Sequence, residues 1–320
     1  MFDALPPSDP AAGPALPASL PTDDAGGIDW SRTHVLVAGL GLIGGAVCRS
    51  LRARHPGVRL TALARNAAKY ESAVAAGIVD AIVESPPAER VHVAVACTPV
   101  DAVVGTLAAI QEVQPEAFLT DAGSAKAAIL EAAAERLPDP ERFLPAHPLA
   151  GSERTGWEAS TVALLDGAVC VLTPTADPPH QAEPATANRE VAAAIVASFW
   201  AACGMTVRYA TSRSHDRWLS QTSHMPHVVA AAIANAVQAP TMMMASGLRD
   251  TTRVAAGDAG LWAEIVGQNA EAIDESLAEV ERQIAAVRAA IAGGDRDAIR
   301  RWLHAAATAR QGWASDLGWS

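Results

Sequence analysis

Apolar and polar positions along the chain fall into two regimes. As far as about residue 210, short apolar runs alternate with stretches of helical spacing. Val35 to Ala38, "VRLTALA" (58–64), "VHVAVA" (91–96) and "AFLT" (117–120) have the length and content of buried strands. Residues 45–54, 67–76, 101–112 and 125–136 read as helices between them. Strands alternating with helices predict a parallel sheet with crossover helices. "AVCVLT" (168–173) adds a strand, a Pro-rich loop follows over 174–187, and a helix ending near Gly204 leads to the strand-like "MTVRYA" (205–210). Beyond residue 212 nothing reads as a strand. Ala-rich segments of helical spacing fill 213–239, 258–291 and 295–310, with "GGD" at 293–295 between the last two. Residues 1–32, rich in Pro, Ala, Asp and Gly and without period, are predicted to be a disordered tail.

Composition narrows the classes. The chain has 320 residues, of which 50% are hydrophobic, enough for two domains and a sizeable core. A net charge of −11 without a basic stripe argues against a nucleic-acid partner. No apolar stretch approaches the length of about 18 residues that reads as a membrane helix. The N-terminus lacks the basic and apolar parts of a signal peptide, so a cytoplasmic protein is expected. Cys48, Cys97, Cys170 and Cys203 are far apart in sequence, lack metal-ligand spacing and sit in apolar segments. They read as buried thiols. The lysines are Lys69 and Lys126.

"GLGLIG" sets Gly39, Gly41 and Gly44 at dinucleotide-binding spacing between the first strand and helix. Gly39 permits a tight turn, Gly41 lets the backbone approach a pyrophosphate, and Gly44 lets helix and strand pack closely. The pyrophosphate then rests on the helix N-terminus, at Leu42 and Ile43. The fold class expected is therefore α/β: a Rossmann-type dinucleotide-binding domain over 33–212, then an all-α dimerisation domain over 213–320. The second strand ends "LARN", with Ala64 where an NAD enzyme carries an acid for the ribose hydroxyls, and Arg65 beside it. An absent carboxylate next to a guanidinium favours NADP, with NAD as the alternative. Cys97, Thr98 and Pro99 follow a strand at its C-terminal end and are expected along the cofactor.

Four further segments carry polar residues that packing does not need: "TDAGSAK" (120–126), "AHPLAGSERTGWEAS" (146–160), "HDRWLSQTSHMPH" (215–227) and "GLRDTTRVAAGD" (247–258). Together with the glycine turn they resemble the prephenate/arogenate dehydrogenase family of tyrosine biosynthesis. That family shows GxGxIGG, D-x-GS-x-K, HP-x-AG-(S/T)-E-x-(S/T)-G, HD…SH-(L/M)-PH and RD-x-x-R-(I/V)-A in this order. The resemblance covers the chain apart from the tail, although the last 50 or so residues match only as generic helix. It implies oxidative decarboxylation of prephenate, or alternatively of arogenate, with a nicotinamide cofactor, no metal, and a homodimer built through the helical part.

The reaction needs a proton acceptor, cationic holders for two carboxylates and a dry pocket. His147, in a loop without strand or helix period, is the expected acceptor, since a neutral imidazole can take the hydroxyl proton. Pro148 restricts its backbone to extended conformations. By the resemblance Ser124 reaches His147 or the substrate hydroxyl. Arg253 is expected to hold a carboxylate in two-point geometry, with Asp250 three residues earlier orienting it. His227 and Ser223 contact the substrate by resemblance, and Glu153 lies at the pocket mouth. Trp157 reads either as part of the site or as an anchor for the loop. Pro226 is expected to kink its helix. A metal set of His215, Asp216, His224 and His227 was the weaker reading, since hydride transfer needs none and no cysteine or acidic cluster completes it. Gly257, before Asp258, offers no acid for an arogenate ammonium, which leans the reading toward prephenate. Two rivals were weighed. A β-hydroxyacid dehydrogenase would need a lysine in the helical part, and the chain has none beyond Lys126. A non-catalytic NADP-binding sensor would have no use for His147, Ser124 and Arg253 together.

Overall fold

A computed structural model describes residues 14–152, 154–175 and 186–317. In chain order it contains β1 (His34–Ala38), α1 (Leu42–Arg54), β2 (Arg59–Leu63), α2 (Glu71–Ala75), β3 (Ala81–Val83), β4 (Val93–Ala96), α3 (Val103–Val113), β5 (Phe118–Asp121), α4 (Ala127–Arg136), β6 (Phe143–Leu144), β7 (Ala146–Pro148), β8 (Val169–Leu172), α5 (Ala187–Ala202) and β9 (Thr206–Tyr209). β1 to β6 form one parallel sheet in the order β3-β2-β1-β4-β5-β6. Every residue of β1 is buried, because helices cover both faces of the sheet. Val35 and Val37 pack with α1 and α5 through Val47, Leu51, Ile195 and Phe199. Leu36 and Ala38 pack with α3 and α4 through Leu107, Ile110 and Ile129.

Strand order reverses between β1 and β4, so their C-terminal loops open a crevice at that end of the sheet. β7, β8 and β9 form a smaller sheet, β7 antiparallel and β9 parallel to β8. Only Pro145 separates β6 from β7, so the chain steps directly from the large sheet to the small one.

Past β9 the chain is helical. α6 (Ser212–Leu219) runs through a π turn (Ser220–His224) into α7 (Met225–Ala236), and α8 (Ser246–Thr252), α9 (Ala259–Gln268), α10 (Ala270–Ala292) and α11 (Arg296–Leu317) follow. The expected kink at Pro226 takes the form of that π turn. Proline has no N–H to give the preceding turn, and the widened turn directly before it, closed by Met225 N–H on the Ser220 carbonyl, absorbs the defect. α10 and α11 pair as a hairpin, yet Ile284, Ile291, Leu303 and Trp313 on them remain about half exposed, at 48–60%.

Two expectations are corrected. The predicted tail is ordered over the part described: in residues 14–32, Leu20 and Trp30 are buried. Trp30 meets Phe199 edge-on at 5.8 Å and donates from Nε1 to Ser198 Oγ at 3.2 Å. Average composition hides two isolated apolar anchors that dock on a finished surface. Residues 1–13 lie outside the described residues. Second, His147 sits in a strand and not in a loop. Three residues are too few to show alternation. Pro148 is tolerated because β7 is an edge strand, where a missing donor costs no ladder bond.

Candidate active site

The crevice is shaped for a dinucleotide. Gly39 has φ +93°, and a Cβ there would lie 2.6 Å from the Cys97 carbonyl oxygen, so no other residue fits. A Cβ on Gly44 would run into the Gly39 carbonyl oxygen. Gly41 meets nothing within 4 Å and starts α1 without a side-chain cap, leaving the helix N-terminus free to take an anion. Across the crevice, Thr98 Oγ1 is buried without a partner. Such an orphan in a polar groove fits a ligand bond. At the end of β2, Ala64 is buried and Arg65 is exposed.

The register carries this edge of the crevice to His147. Cys97 follows Ala96, which pairs with Asp121 on β5. Asp121 Oδ1 accepts the Ala146 N–H at 3.1 Å. Lys126 forms an ion pair with Asp121 Oδ2 and donates from Nζ to the Ala146 carbonyl at 2.8 Å. Both side chains are fully buried. A buried ion pair thus holds both polar groups of Ala146, immediately before His147. Ser124 lies in the same turn, between Gly123, whose N–H reaches Asp121 at 2.8 Å, and Lys126. No hydrogen bond joins Ser124 to His147 among the described residues.

His147 Nδ1 lies 2.9 Å from His215 Nε2 on α6. His215 Nδ1 lies 2.7 Å from Asp216 Oδ1, and Asp216 accepts the N–H groups of Lys126 and Ala127, each at 2.8 Å, at the start of α4. Burial first, then His215, Lys126 and His224, hold the His147 pKa well below 6.5, so the ring is neutral. No described side chain bonds its Nε2.

The helical part supplies a second wall. His224 is buried, bonds Asn269 Nδ2 through its Nδ1 at 3.1 Å, and is pushed down by burial to a pKa of about 4. His227 stacks on Trp262 with ring centroids 3.5 Å apart and 14° between planes, and its buried Nδ1 has no partner. A Cβ on Gly257 would lie 2.6 Å from Trp262 Nε1 and 3.0 Å from His227 Cε1. Ser223 is half-buried on the π turn.

Arg253 is exposed, at the head of a short turn (Arg253–Ala256) that packs against α7. The expected Asp250–Arg253 pair is replaced by Asp250 with Arg249 Nε at 2.9 Å. Asp250 lies in α8, which ends at Thr252, and Arg253 opens the 3-10 turn that follows. Glu153 lies outside the described residues. Trp157 is buried against Gly45 of α1, with the Arg49 guanidinium 5.5 Å over its ring, so it anchors the segment. Among the described residues no group of three or more His, Cys, Asp or Glu is placed to hold a metal ion, and no helix is long and apolar enough to cross a membrane.

Two family models match the chain: "Prephenate dehydrogenase, nucleotide-binding domain" over residues 47–207 and "Prephenate dehydrogenase, dimerization domain" over residues 211–305. The chain belongs to the prephenate dehydrogenase family. Cyclohexadienyl dehydrogenase of Zymomonas mobilis is 30% identical over 276 residues, covering 82% of this chain and 90% of that protein. Prephenate dehydrogenase of Bacillus subtilis is 27% identical over 294 residues, covering 87% and 75%. Among solved structures, Synechocystis arogenate dehydrogenase superposes with TM-score 0.72 at 27% identity, covering 88% of this chain and all of that one. Prephenate dehydrogenase of Aquifex aeolicus, in complex with hydroxyphenyl propionate and NAD+, shares the fold with TM-score 0.76 at 24% identity, covering 88% and 98%.

Within this family framework, sequence reasoning missed Asp121, Lys126, His215, Asp216 and Trp262 as parts of the site. The first four lie inside the polar motifs, but a lysine reads as surface, and the pattern of His215 and Asp216 suggests metal ligands before a hydrogen-bond relay. Trp262 sits in no polar motif. Its one signal is the nearby Gly257, whose need for space appears only in three dimensions.

Proposed function

We propose that this chain oxidises prephenate to 4-hydroxyphenylpyruvate with loss of carbon dioxide, using a nicotinamide dinucleotide. The observation that carries the reading is His147: neutral, held by one ring nitrogen, with the other bare, one residue beyond the Asp121–Ala146 link to the dinucleotide crevice. Gly39, Gly41, Leu42, Ile43 and Gly44 would hold the pyrophosphate, with Cys97, Thr98 and Pro99 opposite. Bound there, the nicotinamide supplies the hydride acceptor for C4 of the substrate.

The residues of the chain do the rest. His147 Nε2 takes the C4 hydroxyl proton as that oxygen becomes carbonyl-like, and Ser124, in the neighbouring turn, orients the hydroxyl. The C1–carboxylate bond breaks, its electron pair enters the ring, and aromaticity drives the step. Arg253 holds a carboxylate, and His227, whose Nδ1 is unpartnered, lines the ring's pocket with Ser223. Glu153 is assigned to the mouth. Asp250 is a substrate-side residue only through the turn it shares with Arg253. Residues 33–212 form the cofactor unit and 213–320 the substrate and dimerisation unit.

Arogenate is the second reading, since relatives named for either substrate resemble the chain. Asp258, the acid nearest Gly257, caps α9 by accepting the Leu261 N–H at 2.8 Å, which leaves it poorly placed to recognise an ammonium. Exposed Arg65 beside buried Ala64 supports NADP over NAD. The half-exposed apolar residues of α10 and α11 support a homodimer. Turnover of prephenate and arogenate with each cofactor, followed by absorbance of the reduced nicotinamide, tests all three choices. Equal or better kcat/KM with arogenate overturns the substrate assignment, and a clear preference for NAD overturns that of the cofactor. A monomer in solution ends the dimer reading.

A further inference from the structure

We infer that His215 and Asp216 are positioning residues that fix the tautomer of His147, forcing its proton onto Nδ1 and leaving Nε2 as a lone-pair acceptor. The inference rests on the role of His147 proposed above. It follows from counting donors along one line of contacts. Asp216 Oδ1 receives the N–H of Lys126 and Oδ2 that of Ala127. Backbone N–H groups only donate, so both oxygens are committed as acceptors. The hydrogen in the 2.7 Å contact with His215 therefore belongs to Nδ1 of His215.

His215 is buried and neutral: desolvation lowers its pKa against the opposing pull of Asp216. A neutral ring with a proton on Nδ1 has a bare Nε2. His147 must then be the donor in the 2.9 Å contact between the rings, through its own Nδ1. Its Nε2 is left without a proton, and no described side chain bonds it. The polarity set at the start of α4 is thus carried through two imidazoles to the nitrogen that meets the substrate hydroxyl. A free neutral histidine side chain in water favours the opposite form, with the proton on Nε2, which would present a donor to that hydroxyl. The Asp216 backbone carbonyl also accepts from Asn269 Nδ2 at 2.8 Å, so α10 helps to hold the relay in place.

The test is nitrogen-15 NMR of the imidazoles of the full chain saturated with oxidised cofactor, paired with steady-state kinetics. In the wild type His147 should show a protonated Nδ1 and a pyridine-like Nε2. His215→Leu removes the acceptor, and the His147 signal should move toward the Nε2-protonated form while kcat falls at least ~100-fold, the low end for a lost general base. His215→Gln should keep both the signal and most of kcat, because its amide can donate to Asp216 and accept from His147. Asp216→Asn should let the amide turn over and reverse the relay; in a serine protease triad the same change lowers kcat by about 10⁴. A wild-type His147 protonated on Nε2 overturns the inference even if prephenate is turned over. His215→Leu at wild-type kcat also overturns it. The expected tautomer in an enzyme that turns over neither substrate upholds the relay and removes the functional reading instead.

Discussion

Replacing Lys126 by Met isolates the contribution of the buried pair behind β7, the strand that carries His147. Methionine is close to the lysine stem in volume, so the cavity left is small and the main change is electrostatic. The side chains of Lys126 and Asp121 are both fully shielded from water. Removing one member of a buried pair costs about 3–5 kcal/mol, because the remaining charge has no partner. Asp121 would keep the N–H groups of Gly123 and Ala146, at 2.8 and 3.1 Å, which places the expected loss near the lower end, about 3 kcal/mol. Against a total stability of about 5–15 kcal/mol this is a large fraction. In a chain of this size it should lower the melting temperature by about 4–5 °C. The assay is thermal and urea unfolding of Lys126→Met, Asp121→Asn and the double variant. The double variant should recover more than half of the loss, since the stranded charge is gone. A single-variant loss below about 1 kcal/mol would place the pair among surface ion pairs and refute the reasoning. A double variant no more stable than Lys126→Met would show that lost packing, and not charge, sets the cost.

Three more outcomes follow from the site and the fold. His147→Asn should lower kcat at least ~100-fold while calorimetric affinity for the cofactor stays unchanged, because the ring is not part of the glycine cradle. Trp30→Ala should cost about 3 kcal/mol in urea unfolding, the usual scale for truncating a buried aromatic; no loss would return residues 14–32 to the status of a loose tail. His224 has a folded pKa of about 4 against an ordinary 6.5, so its stabilising contribution is fully present above pH 6.5 and is lost as pH falls toward about 4. The urea midpoint should therefore drop across that window, and His224→Gln should flatten the drop. An unchanged slope would show that other groups govern it.

Much of the fold was legible because β1 and β4 are buried throughout and read as nearly unbroken apolar runs, with the apolar-rich β2 and β5 on either side. β3, β6 and β7 are two or three residues long and carry no period, and that is why His147 looked like part of a loop. The glycine turn could be read residue by residue, since each glycine has its own steric demand. Pairings were less legible. Asp250 and Arg253 stand three apart on paper, but the adjacent Arg249 takes the carboxylate. Lys126 and Asp121 carry charges that predict exposure, and their burial depends on a partner strand distant in sequence. His215 is assigned its role only by what lies on either side of its ring.

The π turn at Ser220–His224 has a consequence for how this chain tolerates change in length. A turn of that kind holds one residue more than an α-helix would across the same span. Deleting one residue there would let the segment settle into regular helix, with the carbonyl opposite Pro226 left without a donor. Everything downstream would then keep its place about the axis, and His227 would stay on the face it shares with Trp262. A one-residue deletion in the regular helix on either side would instead rotate everything downstream by about 100° about the axis and turn His227 away from Trp262.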